Sequence, residues 1–192
     1  MTQLLFVTHP EVVVDPAVPV PRWHLKESGI GKLRRFAASG ALAGVTAAWA
    51  STECKAIEGA GILAASLGIG VRVRADLGEN DRSATGFLPP EEFERTADAF
   101  FARPEESVRG WERAVDAQAR IVAALRAIAA EENGGGDILV VAHGAVGALL
   151  RGHMLETRIS RRLDQPCQGC WFPVELPGWR LVTLDWQVLP AG

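Results

Sequence analysis

The chain has 192 residues, 48% hydrophobic and 22% charged, which suits one buried core and is short for two. Its 20 Lys and Arg against 23 Asp and Glu give a net charge of −3. The cations are scattered, which disfavours nucleic acid or an anionic membrane as the main partner. No apolar run reaches the ~20 residues of a membrane span, and residues 1–3 lack the positive start of a secretory signal. We expect one soluble cytoplasmic domain over residues 1–192.

The hydrophobic pattern predicts strands that alternate with helices. A continuous apolar run is typical of a buried strand, and apolar residues every three or four positions are typical of a helix. In chain order we predict a strand at Leu4–Val7, a helix from Ser28 to about Ser39, a strand at Val45–Ala50, a helix with Ser51 as N-cap to about Leu67, a strand at Val71–Arg74, helices at Glu91–Phe101 and from Ser107 to about Glu132, a strand at Ile138–Ala142, a helix from Ala145, and a late hairpin of Trp171–Leu176 with Arg180–Trp186.

Three segments between these elements lack periodicity. Prolines keep Glu11–Trp23 extended, and turn-forming residues make Asp76–Pro90 an irregular surface excursion. Arg158–Gly169 is a polar connection before the hairpin. The whole pattern favours a three-layer α/β sandwich, with a mostly parallel sheet and helices on both faces.

In such folds a ligand binds beyond the carboxyl ends of the strands. His9, Ser51 and His143 stand at three such ends. A lone histidine at a strand end is more often structural than catalytic, but two at equivalent points reverse that preference. Neutral imidazole is a nucleophile or a hydrogen-bond donor near pH 7, so we predict that His9 and His143 share a catalytic cleft.

The three cysteines do not make a disulfide framework. Cys167 and Cys170 have the two-residue spacing of a redox pair or of half a zinc site. Their only possible third partner, Cys54, is far away in sequence, so we predict thiols without a metal or redox role.

Several short motifs, in their order and spacing, resemble the histidine phosphatase superfamily, the phosphoglycerate mutase-like fold. Thr8-His9-Pro10-Glu11 stands where family members have Arg-His-Gly-Glu after the first strand. Ser51 to Ala56 resembles a strand-end serine followed, four residues on, by a phosphate-binding arginine, here Lys55. Leu77-Gly78-Glu79 resembles the Leu-x-Glu step of the proton donor, and His143-Gly144 matches the second histidine motif.

The resemblance implies phosphoryl transfer without a metal or cofactor, and a small phosphorylated substrate. His9 would attack phosphorus and carry the phosphoryl group, and His143 would donate to a phosphoryl oxygen. Glu79 would protonate the leaving alkoxide and later activate water, although Asp76 and Asp81 are rival acids. Thr8, Lys55 and Ser51 would bind phosphate.

The departures from the family pattern remove cations. Thr8 replaces an arginine that grips two phosphate oxygens, and Lys55 replaces another while keeping only the charge. Pro10 replaces the motif glycine and withdraws one backbone N–H. Arg22, in the proline-rich loop, is the cation that we predict as a substitute, with Arg82 as another candidate.

Three functions remain open. A metal-independent phosphomonoesterase is the leading hypothesis. A weak or inactive member that binds a phosphorylated ligand or a protein partner is the alternative, because of Thr8 and Pro10. A phosphoglycerate mutase is disfavoured, since the excursion after Glu79 is too brief to form a large lid. The late apolar hairpin would allow a homodimer through the sheet edge.

Overall fold

Parallel strands form the centre of the sheet in a computed structural model that describes residues 2–191. The sheet has seven strands, with six in the order β3-β2-β4-β1-β5-β6 and β7 paired to β5. Pairing is parallel from β3 to β1 and antiparallel from β1 onward. The strands are β1 (Thr2–Thr8), β2 (Val45–Ser51), β3 (Val71–Arg74), β4 (Asp137–Ala142), β5 (Cys170–Leu176), β6 (Arg180–Leu181) and β7 (Gln187–Val188).

Helices cover both faces of this sheet. They are α1 (Glu27–Ala38), α2 (Cys54–Ala65), α3 (Pro90–Ala102), α4 (Ala114–Glu131) and α5 (Gly144–Met154). Alternation along β1 sends Leu4 and Phe6 to the core under α3, α4 and α5, and Leu5 and Val7 to the core under α1 and α2. The predicted three-layer α/β sandwich with a mostly parallel sheet is confirmed.

The start of α2 differs from the prediction. Ser51 is the last residue of β2, where it pairs with Arg74, so it cannot serve as the helix cap. Glu53 takes that position with extended backbone angles, φ −80° and ψ 138°. Only Thr52 and Glu53 lie between the strand and the helix, so Glu53 stands just beyond the carboxyl end of β2.

The predicted helix from Ser107 is shorter than expected. Val108–Gly110 forms a separate 3-10 turn, in which Arg109 and Gly110 have φ values of 53° and 82°. Positive φ does not continue an α-helix, so α4 begins only at Ala114.

The last predicted strand, Arg180–Trp186, is also wrong in extent. Only Arg180 and Leu181 pair with β5, and the chain pairs again at Gln187–Val188. Between them Trp186 turns inward, where its Nε1–H donates to the Leu163 carbonyl over 2.8 Å. Within residues 2–191, no helix combines the length and the apolar character that a bilayer crossing requires.

Candidate active site

The register of the central strands brings both strand-end histidines together. Thr8 of β1 lies opposite Ala142 of β4, and the backbone N–H of His9 donates to the Ala142 carbonyl over 3.1 Å. The rings of His9 and His143 are then 5.3 Å apart and meet edge to face. His9 keeps partial solvent access, whereas His143 is fully buried. The predicted convergence of the two histidines is observed.

His9 has the tautomer and the charge of a nucleophile. Its Nδ1 lies 2.9 Å from the Pro10 carbonyl, which accepts only from a protonated Nδ1 and so leaves the lone pair on Nε2. Burial lowers the pKa of His9 to about 4, and the Lys55 charge contributes, although the Pro10 hydrogen bond opposes the shift. The imidazole is therefore neutral at pH 7.

Pro10 fits because small residues face it. An added Cβ on Gly29 would lie 3.0 Å from Pro10 Cγ, and one on Gly169 would lie 3.0 Å from Pro10 Cβ. Gly169 also has φ of 82°, a conformation that favours glycine. The proline beside the nucleophile is thus packed between two glycines.

His143 is held by Ser51 and Glu53. Its Nε2 lies 2.7 Å from Ser51 Oγ and 3.3 Å from Glu53 Oε1. Its Nδ1 is buried without a hydrogen-bond partner among residues 2–191. Burial lowers the pKa of His143 well below 6.5 even though Glu53 opposes this shift, so the ring is neutral. Ser51, predicted to bind phosphate, contacts His143 here.

Lys55 and Glu53 form a buried ion pair at the start of α2. Their side chains are only 3% and 11% exposed. The Lys55 ammonium donates to Glu53 Oε2 and, over 3.0 Å, to the Val20 carbonyl. The predicted phosphate-binding lysine therefore lies at the site, but a carboxylate already neutralises its charge.

The charge on Glu53 is fixed by its surroundings. Burial raises the pKa of this carboxyl, but His143, Lys55 and the backbone N–H of Glu79 outweigh burial and lower the pKa to about 2. That N–H donates to Glu53 Oε1 over 3.1 Å. Glu53 is consequently a permanent anion in the pocket.

Glu79 lies next to Glu53, against the first turn of α5. Its carboxylate accepts from the N–H groups of Ala145 and Val146, over 3.2 and 3.1 Å. Burial raises the pKa of Glu79, and the charge of Glu53 raises it further, whereas Arg82 and the two N–H groups lower it; the net direction is upward. The protonated acid is thereby favoured relative to an ordinary glutamate.

The rival acids lie outside this arrangement. Asp76 forms an ion pair with Arg74 that lowers its pKa, and its Oδ2 is 2.7 Å from Arg74 Nη2. Asp81 is exposed and accepts from the N–H of Ser83 over 2.8 Å. Of the three acids considered, Glu79 is the one that meets the N-terminus of α5.

Thr8 uses its hydroxyl to join strands. Its Oγ1 donates to Gln165 Oε1 over 2.6 Å and accepts from the Cys170 N–H over 2.9 Å. The Cys170 carbonyl lies 3.2 Å away. Thr8 is fully buried, so this residue holds β1 to β5 and to the loop of Gln165.

The two candidate cations occupy different places. Arg22 is exposed in the 3-10 turn Val20–Arg22. Arg82 lines the cavity beside Glu79, and its charge acts on the pKa values of His9, Glu79 and His143. Its guanidinium lies 5.2 Å from the ring of Phe93 and has no ion pair within residues 2–191. The structure brings Arg82, rather than Arg22, to the pocket.

A cavity of about 790 Å³ opens beside the carboxylates. The proline-rich segment 16–21 forms one wall, and residues 78–87 form the other. Glu53 and Glu79 also line it, and Phe87 contributes an apolar surface backed by Trp23, with ring centroids 5.9 Å apart. The cavity can hold the organic part of a substrate.

Two further residues of the site, Glu53 and Gln165, were not predicted. Glu53 left a signal in its position, since it stands between Ser51 and Lys55, two residues already expected to bind phosphate. Gln165 left none, because it reaches the site from a distant loop. Its Nε2 lies so near Gly144 that an added Cβ there would be only 2.5 Å away, so Gln165 packs directly against the residue that follows His143.

The two other histidines do not line this pocket. His24 is exposed beside Glu58, and His153 is exposed. Cys167 and Cys170 are free thiols, with Sγ atoms 3.8 Å apart. In the part of the chain that the structure covers, no three His, Cys, Asp or Glu side chains are grouped to hold a metal ion.

One comparison with known proteins shows the family of this chain. The sequence model of the histidine phosphatase superfamily, branch 1, matches residues 20–187, so the match begins after the Thr8–Glu11 segment. The comparison with curated proteins gave no match.

Solved structures share the fold at low sequence identity. YhfR of Bacillus stearothermophilus superposes with a TM-score of 0.81 at 22% identity, covering 96% of this chain and 98% of that one. A mycobacterial glucosyl-3-phosphoglycerate phosphatase, complexed with VO3, has a TM-score of 0.77 at 20% identity and full coverage of both chains. Phosphoserine phosphatase of Entamoeba histolytica, in complex with 3-phosphoglyceric acid, has a TM-score of 0.74 at 16% identity and covers 97% of each.

Proposed function

Since the chain belongs to branch 1 of the histidine phosphatase superfamily, we propose that it hydrolyses a small phosphomonoester through a phosphohistidine on His9. The observation that carries this proposal is the state of His9. Its Nδ1 is anchored on the Pro10 carbonyl, its ring is neutral, and its Nε2 keeps a lone pair. Glu79, whose backbone N–H donates to Glu53 in the same pocket, has a raised pKa. These are the properties of a nucleophile and a proton donor.

In the first step His9 Nε2 forms a bond to phosphorus while the bond from phosphorus to the ester oxygen breaks. Protonated Glu79 transfers its proton to that oxygen, so the alcohol leaves as a neutral molecule. The ester's organic part occupies the cavity between residues 16–21 and 78–87.

In the second step water attacks phosphorus and the bond to His9 breaks. Ionised Glu79 accepts the proton of the water, which restores the carboxylic acid and releases inorganic phosphate. His143 and Lys55 donate to phosphoryl oxygens, and Arg82 adds positive charge. The protein supplies these groups from its own side chains.

The difference between Glu53 and Glu79 supports these roles. The two carboxyl groups share one pocket, but the pKa of Glu53 falls to about 2 while that of Glu79 rises. Acid catalysis needs a carboxyl that keeps its proton, and a neighbouring anion helps to retain it.

A second candidate function is binding of a phosphorylated ligand with little or no turnover. The observation that favours it is the buried pair of Glu53 and Lys55, because the pocket lacks the family's arginines and its lysine is neutralised.

Hydrolysis of an aryl phosphate separates the two functions. We expect turnover by the wild-type protein that persists with a chelator and falls by about 10³-fold or more in His9→Ala. His153→Ala is the matched control, since His153 is exposed on α5. Folded wild-type protein without turnover between pH 4 and 8 would favour the binding function.

A further inference from the structure

The Lys55 ammonium, the backbone N–H of Glu79 and an imidazole nitrogen of His143 all lie against one internal carboxylate. Glu53 accepts from the Lys55 ammonium and from the N–H of Glu79, and its Oε1 lies 3.3 Å from His143 Nε2. We propose that Glu53 is an intramolecular competitor of the phosphoryl group, whose carboxylate occupies the donors that bind phosphate when the pocket is empty.

The chemistry of the two anions supports competition. A carboxylate and a phosphoryl group both present only acceptor oxygens to N–H donors, so each satisfies the same ammonium and imidazole. Lys55 has three N–H donors, of which Glu53 and the Val20 carbonyl already take two. Phosphate that binds here must displace Glu53 or tolerate its negative charge at close range.

The position of Glu53 allows that displacement. Glu53 caps α2 through its backbone, without a side-chain hydrogen bond to the helix, and it lines the 790 Å³ cavity. Rotation about the side-chain bonds would carry the carboxylate into the cavity without movement of the sheet. The pocket would therefore bind inorganic phosphate weakly, which favours release of the product.

A simpler role for the pair would be to stabilise the start of α2. A buried ion pair with only that role would leave phosphate affinity unchanged or lower it when Glu53 is neutralised, because the site would lose order. Competition predicts the opposite change, namely a higher phosphate affinity when Glu53 is neutralised. The inference rests on the proposed function in one respect, namely that the phosphoryl group binds beside His9.

Calorimetric titration with inorganic phosphate measures directly whether a substitution raises or lowers the phosphate affinity. We expect Glu53→Gln to bind phosphate at least about tenfold more tightly than the wild-type protein, since Lys55 and His143 then face no competing charge. The matched control is Glu58→Gln, which removes a carboxylate from the same helix beside exposed His24 and should leave phosphate affinity unchanged.

Lys55→Met tests whether the gain comes from the released lysine. In the Glu53→Gln background, Lys55→Met should remove most of the tighter binding, so the two substitutions are strongly coupled. A gain that survives without Lys55 would contradict the competition, because the freed donor would then be irrelevant.

Repeating the titrations in His9→Ala separates this inference from the proposed function. Tighter phosphate binding in His9→Ala/Glu53→Gln than in His9→Ala supports the competition whether or not the wild-type protein turns over any ester. Equal or weaker binding, or no measurable binding in either protein, overturns it. If circular dichroism shows that Glu53→Gln is unfolded, Glu53→Asp replaces it; the shorter side chain should tighten phosphate binding by a smaller factor, and unchanged affinity overturns the competition.

Discussion

Two short regions each place one glutamate in the same pocket, but the groups that contact the two carboxylates differ. The β2–α2 junction, residues 51–55, pairs Glu53 with a buried lysine and a histidine. The loop after β3, residues 78–82, brings Glu79 against backbone N–H groups, with Arg82 as its nearby cation. Glu53 therefore stays ionised, whereas Glu79 is biased toward its protonated form.

This difference shows how one pocket can contain both an anion and an acid. At Glu53, His143 and the contacting Lys55 lower the carboxyl pKa more than burial raises it, whereas at Glu79 the more distant Arg82 and two backbone N–H groups do not offset burial. The surroundings of each glutamate thus determine its ionisation: Glu53 in the β2–α2 junction keeps a negative charge, and Glu79 in the loop after β3 retains a proton more readily.

Replacing Glu79 should have the largest effect on catalysis. Glu79→Gln keeps the size of the side chain but cannot donate the proton, so kcat should fall by about 10² to 10⁴-fold for alkyl phosphates. The loss should be smaller for an ester whose leaving group needs no proton, such as a nitrophenyl phosphate. Equal losses for both esters, measured by steady-state kinetics, would assign Glu79 a structural role.

Replacing Lys55, the cation of the buried ion pair with Glu53, should reduce the free energy of unfolding. Lys55→Met leaves the Glu53 carboxylate buried without its cation, which should cost about 3–5 kcal/mol in urea unfolding. In the wild-type protein the lowered pKa of Glu53 gives stability that is present above its ordinary pKa of 4.5 and is lost as pH falls toward 2. Lys55→Met should lack much of this pH dependence; an unchanged dependence would contradict the pairing.

The two candidate cations should differ in their effect on substrate binding. Arg82 lines the cavity and acts on His9, whereas Arg22 is exposed. Arg82→Ala should raise KM for an aryl phosphate about tenfold, a loss comparable to one charge-assisted hydrogen bond. A larger increase in KM for Arg22→Ala than for Arg82→Ala would show that the proline-rich loop supplies the phosphate-binding cation instead.

The smallest expected effect is a shift of the pH profile. Activity should fall below about pH 4, where His9 becomes protonated, and above the raised pKa of Glu79, where the acid is lost. Glu53 raises both pKa values, so Glu53→Gln should move both limbs of the kcat/KM profile to lower pH, by roughly half a unit or more. A shift to higher pH would contradict the electrostatic role of Glu53.

The ends of β1 and β4 were predictable from the sequence because they depend on local signals. The apolar runs before His9 and His143 are bounded by polar residues, and parallel pairing then brings the two rings together. The family motifs likewise follow the order of the chain. These features identify the pocket without any knowledge of side-chain packing.

Partners of individual side chains were not predictable in the same way. The Thr8 hydroxyl was expected to bind phosphate, yet it bonds to Gln165 and Cys170, more than 150 positions away in sequence. Glu53 falls inside the helix predicted after Ser51, and its actual role depends on where β2 ends and which cation it meets. Such contacts arise from tertiary packing, which periodicity does not encode.

The central claim is that His9 carries the phosphoryl group, and a rapid-quench experiment tests it most directly. Wild-type protein is mixed with an aryl phosphate, quenched in alkali, where phosphohistidine survives, and analysed by peptide mass spectrometry. We expect a phosphoryl adduct on His9 that forms within one turnover and is absent from His9→Ala. Turnover without any adduct on His9, or an adduct on another residue, would contradict it.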